Sequence, residues 1–303
     1  MRWSACQLGI VLMWLAVAVD AAVPDADAIA RQVDFVNRFG AVHNVSFGDE
    51  THPVVVIDRA ASGRMVVNTF ERWRRNESDV NTAVSARDLV IFRSGKLRGT
   101  GILVSDYREP EQGRAYSVWL PSLRKVRRFS EPDPAERWGN SNLTYGDIYI
   151  RRPEDETHEF LGREPFDTCL GAMTLSNEQQ QRHTMAMPRA DCSVRGRIVF
   201  RLRSRPHRAD LGYDERVVWV DAETYADYRS VYYVDGEPVK VIDKSWHTMG
   251  LDDPRAQYWT YWYARTTSSG QEGMAFVDPA AVRWNMQLDT DLWTEQTLRR
   301  IRH

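Results

Sequence analysis

The chain has 303 residues, with 40 Lys and Arg against 42 Asp and Glu, and 43% of its residues are hydrophobic. A formal net charge of -2 provides no field for holding a nucleic-acid backbone, and the apolar fraction excludes an intrinsically disordered chain. Three cysteines are too few for a disulfide-built scaffold, so a globular protein with a sizeable core remains. The composition is unusual in its 11 Trp and 12 Tyr.

Residues 1–21 have the pattern of a secretory signal peptide. A short positive region precedes an apolar run over residues 8–19, and Ala21 and Ala22 supply the small side chains of a cleavage site. An apolar run of about a dozen residues is shorter than the roughly 20 that span a bilayer, so we do not expect a retained membrane anchor. We therefore expect a periplasmic protein, soluble after cleavage, with a single domain over residues 25–303.

One amphipathic helix is predicted near the mature start. Asp27 is the expected N-cap, Ile29, Val33 and Val36 share one face, and Gly40 is expected to end the helix. This is the only clear helical period in the chain, so the rest of the core must be built from other elements.

Beyond this helix the hydrophobic pattern changes to a period of two, which is typical of strands. The strand-like runs cover residues 54–57, 63–68, 89–92, 116–120, 196–202, 216–221, 225–234, 239–246, 258–265 and 281–288. Asp235-Gly236, between two of these runs, is the strongest hairpin signal. About ten short strands with few helices predict a mainly β fold with one large antiparallel sheet that curls. Residues 131–165 are the most polar stretch and are predicted to form surface loops.

Residues 258–263 place aromatic side chains on both faces of one predicted strand. Each face of that strand therefore has large side chains to cover, and neither has the pattern of a solvated surface. The alternative is ordinary β-propensity and packing, since Trp and Tyr favour strands for those reasons alone.

No arrangement of residues points to catalysis. The seven histidines have no zinc-like spacing, and we find no nucleophile elbow, phosphate loop or calcium loop. We therefore predict no catalytic site, no cofactor and no metal. Carboxylates are plentiful, and because a sequence cannot pair them across a sheet, an exported hydrolase remains an alternative.

Cleavage of the signal peptide would remove Cys6 and leave Cys169 and Cys192. In an oxidising compartment these two thiols are expected to form a disulfide. The alternative is a pair of buried free thiols that act as small hydrophobic side chains. A metal site is disfavoured because no CxxC or HxxxH spacing lies near either cysteine.

Residues 98–147 carry the most specific pattern in the chain, VWLPSLRKVRR followed by SNLTYGD. This pattern resembles the bacterial outer-membrane lipoprotein-sorting-like family, whose members are related in fold to the periplasmic lipoprotein carrier LolA. Similar features recur at residues 218–221, 235–236 and 291–298. The residues that match the central motif are Trp119, Leu120, Pro121, Lys125, Arg127, Arg128, Tyr145 and Asp147. The chain departs from the family pattern at Asn142, Leu143 and Gly146.

The resemblance implies a strongly curved antiparallel sheet, an incomplete barrel that wraps around a helical lid and encloses an apolar cavity. It further implies a non-catalytic carrier or chaperone that shelters acyl chains of a lipid or lipoprotein, with an inner-membrane exporter as a candidate partner. Burial of each methylene gains about 0.8 kcal/mol, so such a carrier needs a dry concave surface and no catalytic groups. A second interpretation of the same fold is an envelope sensor, or an accessory binding module of a membrane export complex.

The candidate ligand-binding residues are Trp119, Leu120, Tyr145 and Trp219. The sequence does not decide which strand face points inward, and Tyr116, Val118 and Leu120 form an equally good lining. These alternatives stay open until the strands are placed in a sheet.

A basic cluster, Arg124, Lys125, Arg127 and Arg128, lies within the same motif. One interpretation is that it binds anionic head groups or a partner beside the mouth of the cavity. The other is a solvated strand edge whose charges discourage association between sheets.

Overall fold

Fifteen β-strands and three α-helices form the regular structure of the described residues, 25–138, 141–149 and 151–301, in a computed structural model. The helices are α1 (Ala26–Asn37), α2 (Tyr145–Ile148) and α3 (Glu295–Arg299). The strands are β1 (Asn44–Phe47), β2 (Val54–Arg59), β3 (Met65–Asn76), β4 (Val84–Phe92), β5 (Gly101–Tyr107), β6 (Arg114–Leu120), β7 (Lys125–Phe129), β8 (Glu156–Pro165), β9 (Ile198–Pro206), β10 (Glu215–Asp221), β11 (Asp227–Val234), β12 (Glu237–Thr248), β13 (Gln257–Thr266), β14 (Glu272–Phe276) and β15 (Val282–Trp284). The predicted signal peptide lies outside the described residues.

All strands belong to one antiparallel sheet in the order β7-β6-β5-β4-β3-β2-β14-β13-β12-β11-β10-β9-β8, with β1 paired to β3 and β15. The terminal strands β7 and β8 do not pair with each other, so the sheet is not closed into a barrel. The mainly β fold is confirmed, but the expected ten strands are too few. The sequence pattern missed β1, β5, β7, β8 and β14, and only Val282–Trp284 of the run 281–288 is a strand.

The predicted hairpin at Asp235-Gly236 connects β11 to β12. Both residues have positive φ, 49° and 79°, which is the conformation that a two-residue type I′ turn requires. Asp and Gly tolerate this left-handed region, so the turn fixes the register of the two strands.

Helix α1 shows that the sheet curves. Its buried residues Ile29 and Val33 pack against β9 and β10 near one end of the sheet. At its C-terminus, Arg38 bonds to Asp106 of β5, the third strand from the other end. One 12-residue helix can touch both regions only if the sheet wraps around it, so we call the α1 side the concave face. The N-cap is Asp25 and not Asp27, because the Asp25 carboxylate accepts the Ala28 amide at 2.8 Å.

The segment 131–149 also lies on the concave face. The Trp138 ring contacts Phe70 and Phe92, and the Asn142 side-chain amide donates to the carbonyl oxygens of Ala264 and Gln271 at 3.1 Å. The prediction of surface loops for residues 131–165 is therefore wrong. The segment is polar because it bonds to a polar interior, and residues 156–165 form β8.

The outer face is covered by two other segments. Residues 166–197 cross its centre, where Leu170 is fully buried, and the predicted Cys169–Cys192 disulfide is present. The C-terminal region around α3 covers the outer face of β4–β6 through Trp293 and Leu298.

Candidate functional site

The concave face contains an apolar cleft at the place where β2 and β4 end and β3 begins. Its apolar lining residues are Val56, Ala60, Ala61, Val66, Phe92, Leu97 and Trp138. Val56 and Asp58 pair with Asn68 and Val66 across β2 and β3, so alternation places these side chains on one face. Trp138 forms the opposite wall, with its ring centroid 5.7 Å from that of Phe92. The cleft has a volume of about 530 Å³, which lies within the range of small-molecule sites.

Three cations, Arg64, Lys96 and Arg137, also line the apolar cleft. All three are exposed, and none forms a salt bridge with another of the described residues. Asp58 is the one carboxylate in the lining; burial raises its pKa, although the Gln271 amide donates to it at 3.1 Å. Apolar walls with cations at the entrance are suited to a ligand with an apolar body and an anionic head.

The deeper concave interior is occupied by buried ion pairs. Asp147 of α2 bonds to Lys240 of β12 and lies 3.7 Å from Arg151. Lys244 bonds to Asp227 at 2.6 Å. The void among these groups is about 30 Å³, room for about one water molecule. One continuous apolar cavity is therefore not confirmed, because charged side chains fill the interior beside α1.

The pKa shifts of these buried groups follow from their partners. Burial raises the pKa of Asp147, but Lys240 and Arg151 outweigh burial and hold it well below its usual range. In the same way, Arg216 and Tyr213 lower the pKa of Glu156 to about 2. Each carboxylate remains ionised at neutral pH and bonded to a cation, which indicates a structural role and not that of a general acid.

A second pocket, of about 530 Å³, lies at the gap between the two ends of the sheet. Tyr116, Tyr145 and Tyr149 line it, with the Tyr116 ring edge-on to the other two at 6.2 and 5.9 Å. Arg208, after β9, bonds to Asp133, after β7, at 3.0 Å. This salt bridge joins the two ends of the open sheet beside the pocket.

The outer face carries the largest of these spaces, a groove of about 1070 Å³ under residues 182–193. Val55, Tyr261 and Phe276 line its floor. Its other lining groups are mostly polar and include His52, His183, His247, Arg182, Arg189 and Asp191. This lining is less suited to an acyl chain than the apolar cleft is, because a buried methylene needs apolar contacts.

The four candidate ligand-binding residues lie in different places. Trp119 is buried on the outer face of β6 against Trp293, and Trp219 lies on the outer face of β10, where its Nε1 donates to Glu164 at 3.0 Å. Tyr145 lines the pocket at the sheet gap, and Leu120 lies at the end of β6 opposite Lys125. None of the cavities described above is lined by more than one of the four, and their role in ligand binding stays a prediction.

Sequence reasoning missed the residues of the apolar cleft. Trp138 lies in the stretch that was expected to be surface loop, and Val66 and Leu97 belong to a strand and a turn with no distinctive motif. The only sequence signal was the run 63–68, which predicted a strand but not which face would be open.

The basic cluster lies on the hairpin of β6 and β7. Arg124, Lys125 and Arg127 are exposed, while Arg128 bonds to Glu295 at 2.6 Å and is 79% exposed. The cluster thus surrounds a terminal strand and does not line the apolar cleft.

The chain was compared with protein families, with curated proteins and with solved structures. A family model described as "Uncharacterized protein" matches residues 85–300, and no curated protein matches the chain. A domain described as an outer-membrane lipoprotein-sorting protein, from Vibrio parahaemolyticus, has a TM-score of 0.66 at 16% identity, over 91% of this chain and 98% of that one.

Two further solved structures are similar over 91% of this chain and 100% of their own. A DUF1329 family protein from Desulfovibrio piger has a TM-score of 0.66 at 17% identity. A LolA superfamily protein from Nitrosomonas europaea has a TM-score of 0.55 at 14% identity. Within the described part of this chain, no helix has the length and apolar character needed to cross a membrane.

Proposed function

The chain belongs to the outer-membrane lipoprotein-sorting-like family with the LolA-like fold, and from this premise we propose that it is a periplasmic, non-catalytic carrier of lipid or lipoprotein acyl chains. The observation that supports this function most directly is the apolar cleft on the concave face, with its entrance of Arg64, Lys96 and Arg137. The apolar walls take the acyl chain, and the cations face an anionic head group.

The energetics favour a reversible carrier. Each buried methylene gains about 0.8 kcal/mol, so about ten buried methylenes contribute roughly 8 kcal/mol, which corresponds to micromolar and therefore reversible binding. The three cations are exposed, so each contributes only modestly to head-group binding. Binding of this kind needs no covalent step, which agrees with the ion-paired state of the buried carboxylates Asp147 and Glu156.

The test is bound-lipid analysis of protein recovered from a bacterial periplasm. Lipid extraction and native mass spectrometry should show acyl species on the wild-type protein. Val66 is 46% exposed within the cleft, so Val66→Asp should keep the fold. It should lose most of the bound lipid, since a second carboxylate opposite Asp58 would oppose both the acyl chain and the anionic head.

The matched control is Val80→Asp, at a valine that is 75% exposed outside the cleft. It should keep the lipid content of the wild-type protein. Repeated recovery of lipid-free wild-type protein would contradict the carrier function, and equal loss in both variants would remove the cleft as the site. Stable capture of one envelope protein by lipid-free protein would favour the sensor interpretation.

A further inference from the structure

The hairpin of β6 and β7 carries a cluster of positive charge outside the proposed ligand site. Residues 121–129 read PSLRKVRRF, with four cations and no carboxylate. Strand β7 ends the sheet and, among the described strands, pairs with β6 alone, so it lies along one edge of the sheet. After the bond between Arg128 and Glu295, three positive charges remain without a salt bridge to any described residue.

Two large apolar side chains are exposed on the same hairpin. Leu123, in the turn, and Phe129, at the end of β7, are each 51% exposed. They are separated by the cations and form no groove, whereas a protein hot spot requires a desolvated pocket. Addition of a partner strand to β7 is disfavoured as well, because charges on an edge strand oppose pairing.

The hairpin is anchored on one face and open on the other. Val126 points to the outer face and packs with the Trp119 cluster beneath α3. By alternation, Lys125, Arg127 and Phe129 share the opposite face, next to Leu120 and Tyr116 of β6. The base of the hairpin is therefore held in place while its charged and apolar side chains remain available.

We propose that this hairpin docks the protein onto the surface of an anionic lipid bilayer. Arg124, Lys125 and Arg127 are attracted to anionic head groups, and each contributes roughly 1 kcal/mol near such a surface. Leu123 and Phe129 insert at the boundary between head groups and acyl chains. Binding is reversible, because three charges and two partly exposed apolar side chains fall far short of a membrane span.

Vesicle sedimentation tests the proposal. Wild-type protein should bind vesicles containing phosphatidylglycerol, bind pure phosphatidylcholine vesicles far more weakly, and detach as salt is raised. Lys125→Glu/Arg127→Glu should weaken binding at least about tenfold. Leu123→Ser should also weaken it, and the binding that remains should keep its dependence on salt. Circular dichroism checks that each variant is folded.

The charge-matched control is Arg163→Glu/Arg195→Glu, at two exposed arginines away from the hairpin, which should bind like the wild-type protein. Equal binding to both vesicle types, wild-type binding by the hairpin variant, or the same loss in the control would overturn the proposal. So would capture of a partner protein by the hairpin in the absence of vesicle binding. The result is independent of the cleft, because Val66→Asp leaves the hairpin unchanged.

Discussion

At the scale of single residues, the interior of this protein contains buried ion pairs in which each charge is stabilised by its partner. The Glu156 side chain is 1% exposed and accepts hydrogen bonds from the Arg216 Nε and the Tyr213 hydroxyl, both at 3.0 Å. Removing one member of such a group is costly because it leaves the other charge buried without a partner. The buried ion pairs of the concave face therefore stabilise one arrangement of α1, the segment 131–149 and the strands. Substitution of one of these charged residues should be destabilising.

Stability should fall in acid partly because of Glu156. Its pKa is about 2 in the folded protein against an ordinary 4.5, so its ionisation contributes stability above pH 4.5 that is lost as the pH falls toward 2. Between pH 7 and pH 2 the unfolding free energy of Glu156→Gln should therefore fall by about 3 kcal/mol less than that of the wild-type protein. The variant should also be less stable than the wild-type protein at pH 7, because Arg216 loses its partner. Urea denaturation across this pH range measures both effects. Glu154→Gln, at an exposed neighbour, should follow the wild-type curve, and a wild-type slope in Glu156→Gln would contradict the assignment.

At the scale of elements, the sequence predicted strands that contain a run of apolar residues, such as Val54–Arg59, and it predicted the disulfide. It missed β1 and β14 although both are largely buried, because Asn44–Phe47 and Glu272–Phe276 are short and contain polar residues or Gly. It missed β8 because the outer side chains of that strand, such as Glu159, are charged and pair with arginines of β9. It could not predict the buried pair Asp147 and Lys240, whose members lie 93 residues apart. Short-range patterns report local periodicity, whereas the candidate site is made by contacts between distant segments.

The disulfide should stabilise the folded protein mainly by lowering the conformational entropy of the unfolded chain. Cys169 and Cys192 close a loop of 23 residues' separation, which corresponds to about 3 kcal/mol of loop-closure entropy. Cys169→Ser/Cys192→Ser should lose about that much unfolding free energy in urea while keeping its far-ultraviolet circular dichroism, because Gly171 and Asp191 still bond to the sheet.

Reductant provides the control for this prediction. It should destabilise the wild-type protein and leave the double serine variant unchanged. Equal stability of the wild-type protein and the variant would show that the sheet contacts alone hold the segment.

At the scale of the whole molecule, α1 couples regions of the sheet that are far apart in strand order. Arg38 bonds to Asp34 and to Asp106 of β5, while the Asn37 amide donates to Asp227 of β11 at 2.9 Å. The burial of Ile29 and Val33 against β9 and β10 supplies the apolar part of the same contact. We therefore expect the curvature of the sheet, and with it the shape of the apolar cleft, to depend on a helix that does not line the cleft.

Arg38→Ala should loosen this coupling, because the cations that then lie nearest to Asp106 among the described residues are Arg114 and Arg152, at 3.5 and 3.6 Å. We expect a loss of roughly 1–3 kcal/mol in unfolding free energy. Hydrogen exchange measured by mass spectrometry should become faster in α1 and β5 together, since one side chain joins them. Arg31→Ala, at an exposed position of the same helix, should change neither quantity. Faster exchange confined to α1 would mean that the sheet keeps its curvature without the helix, and the apolar cleft would then owe its shape to the strands and to Trp138 alone.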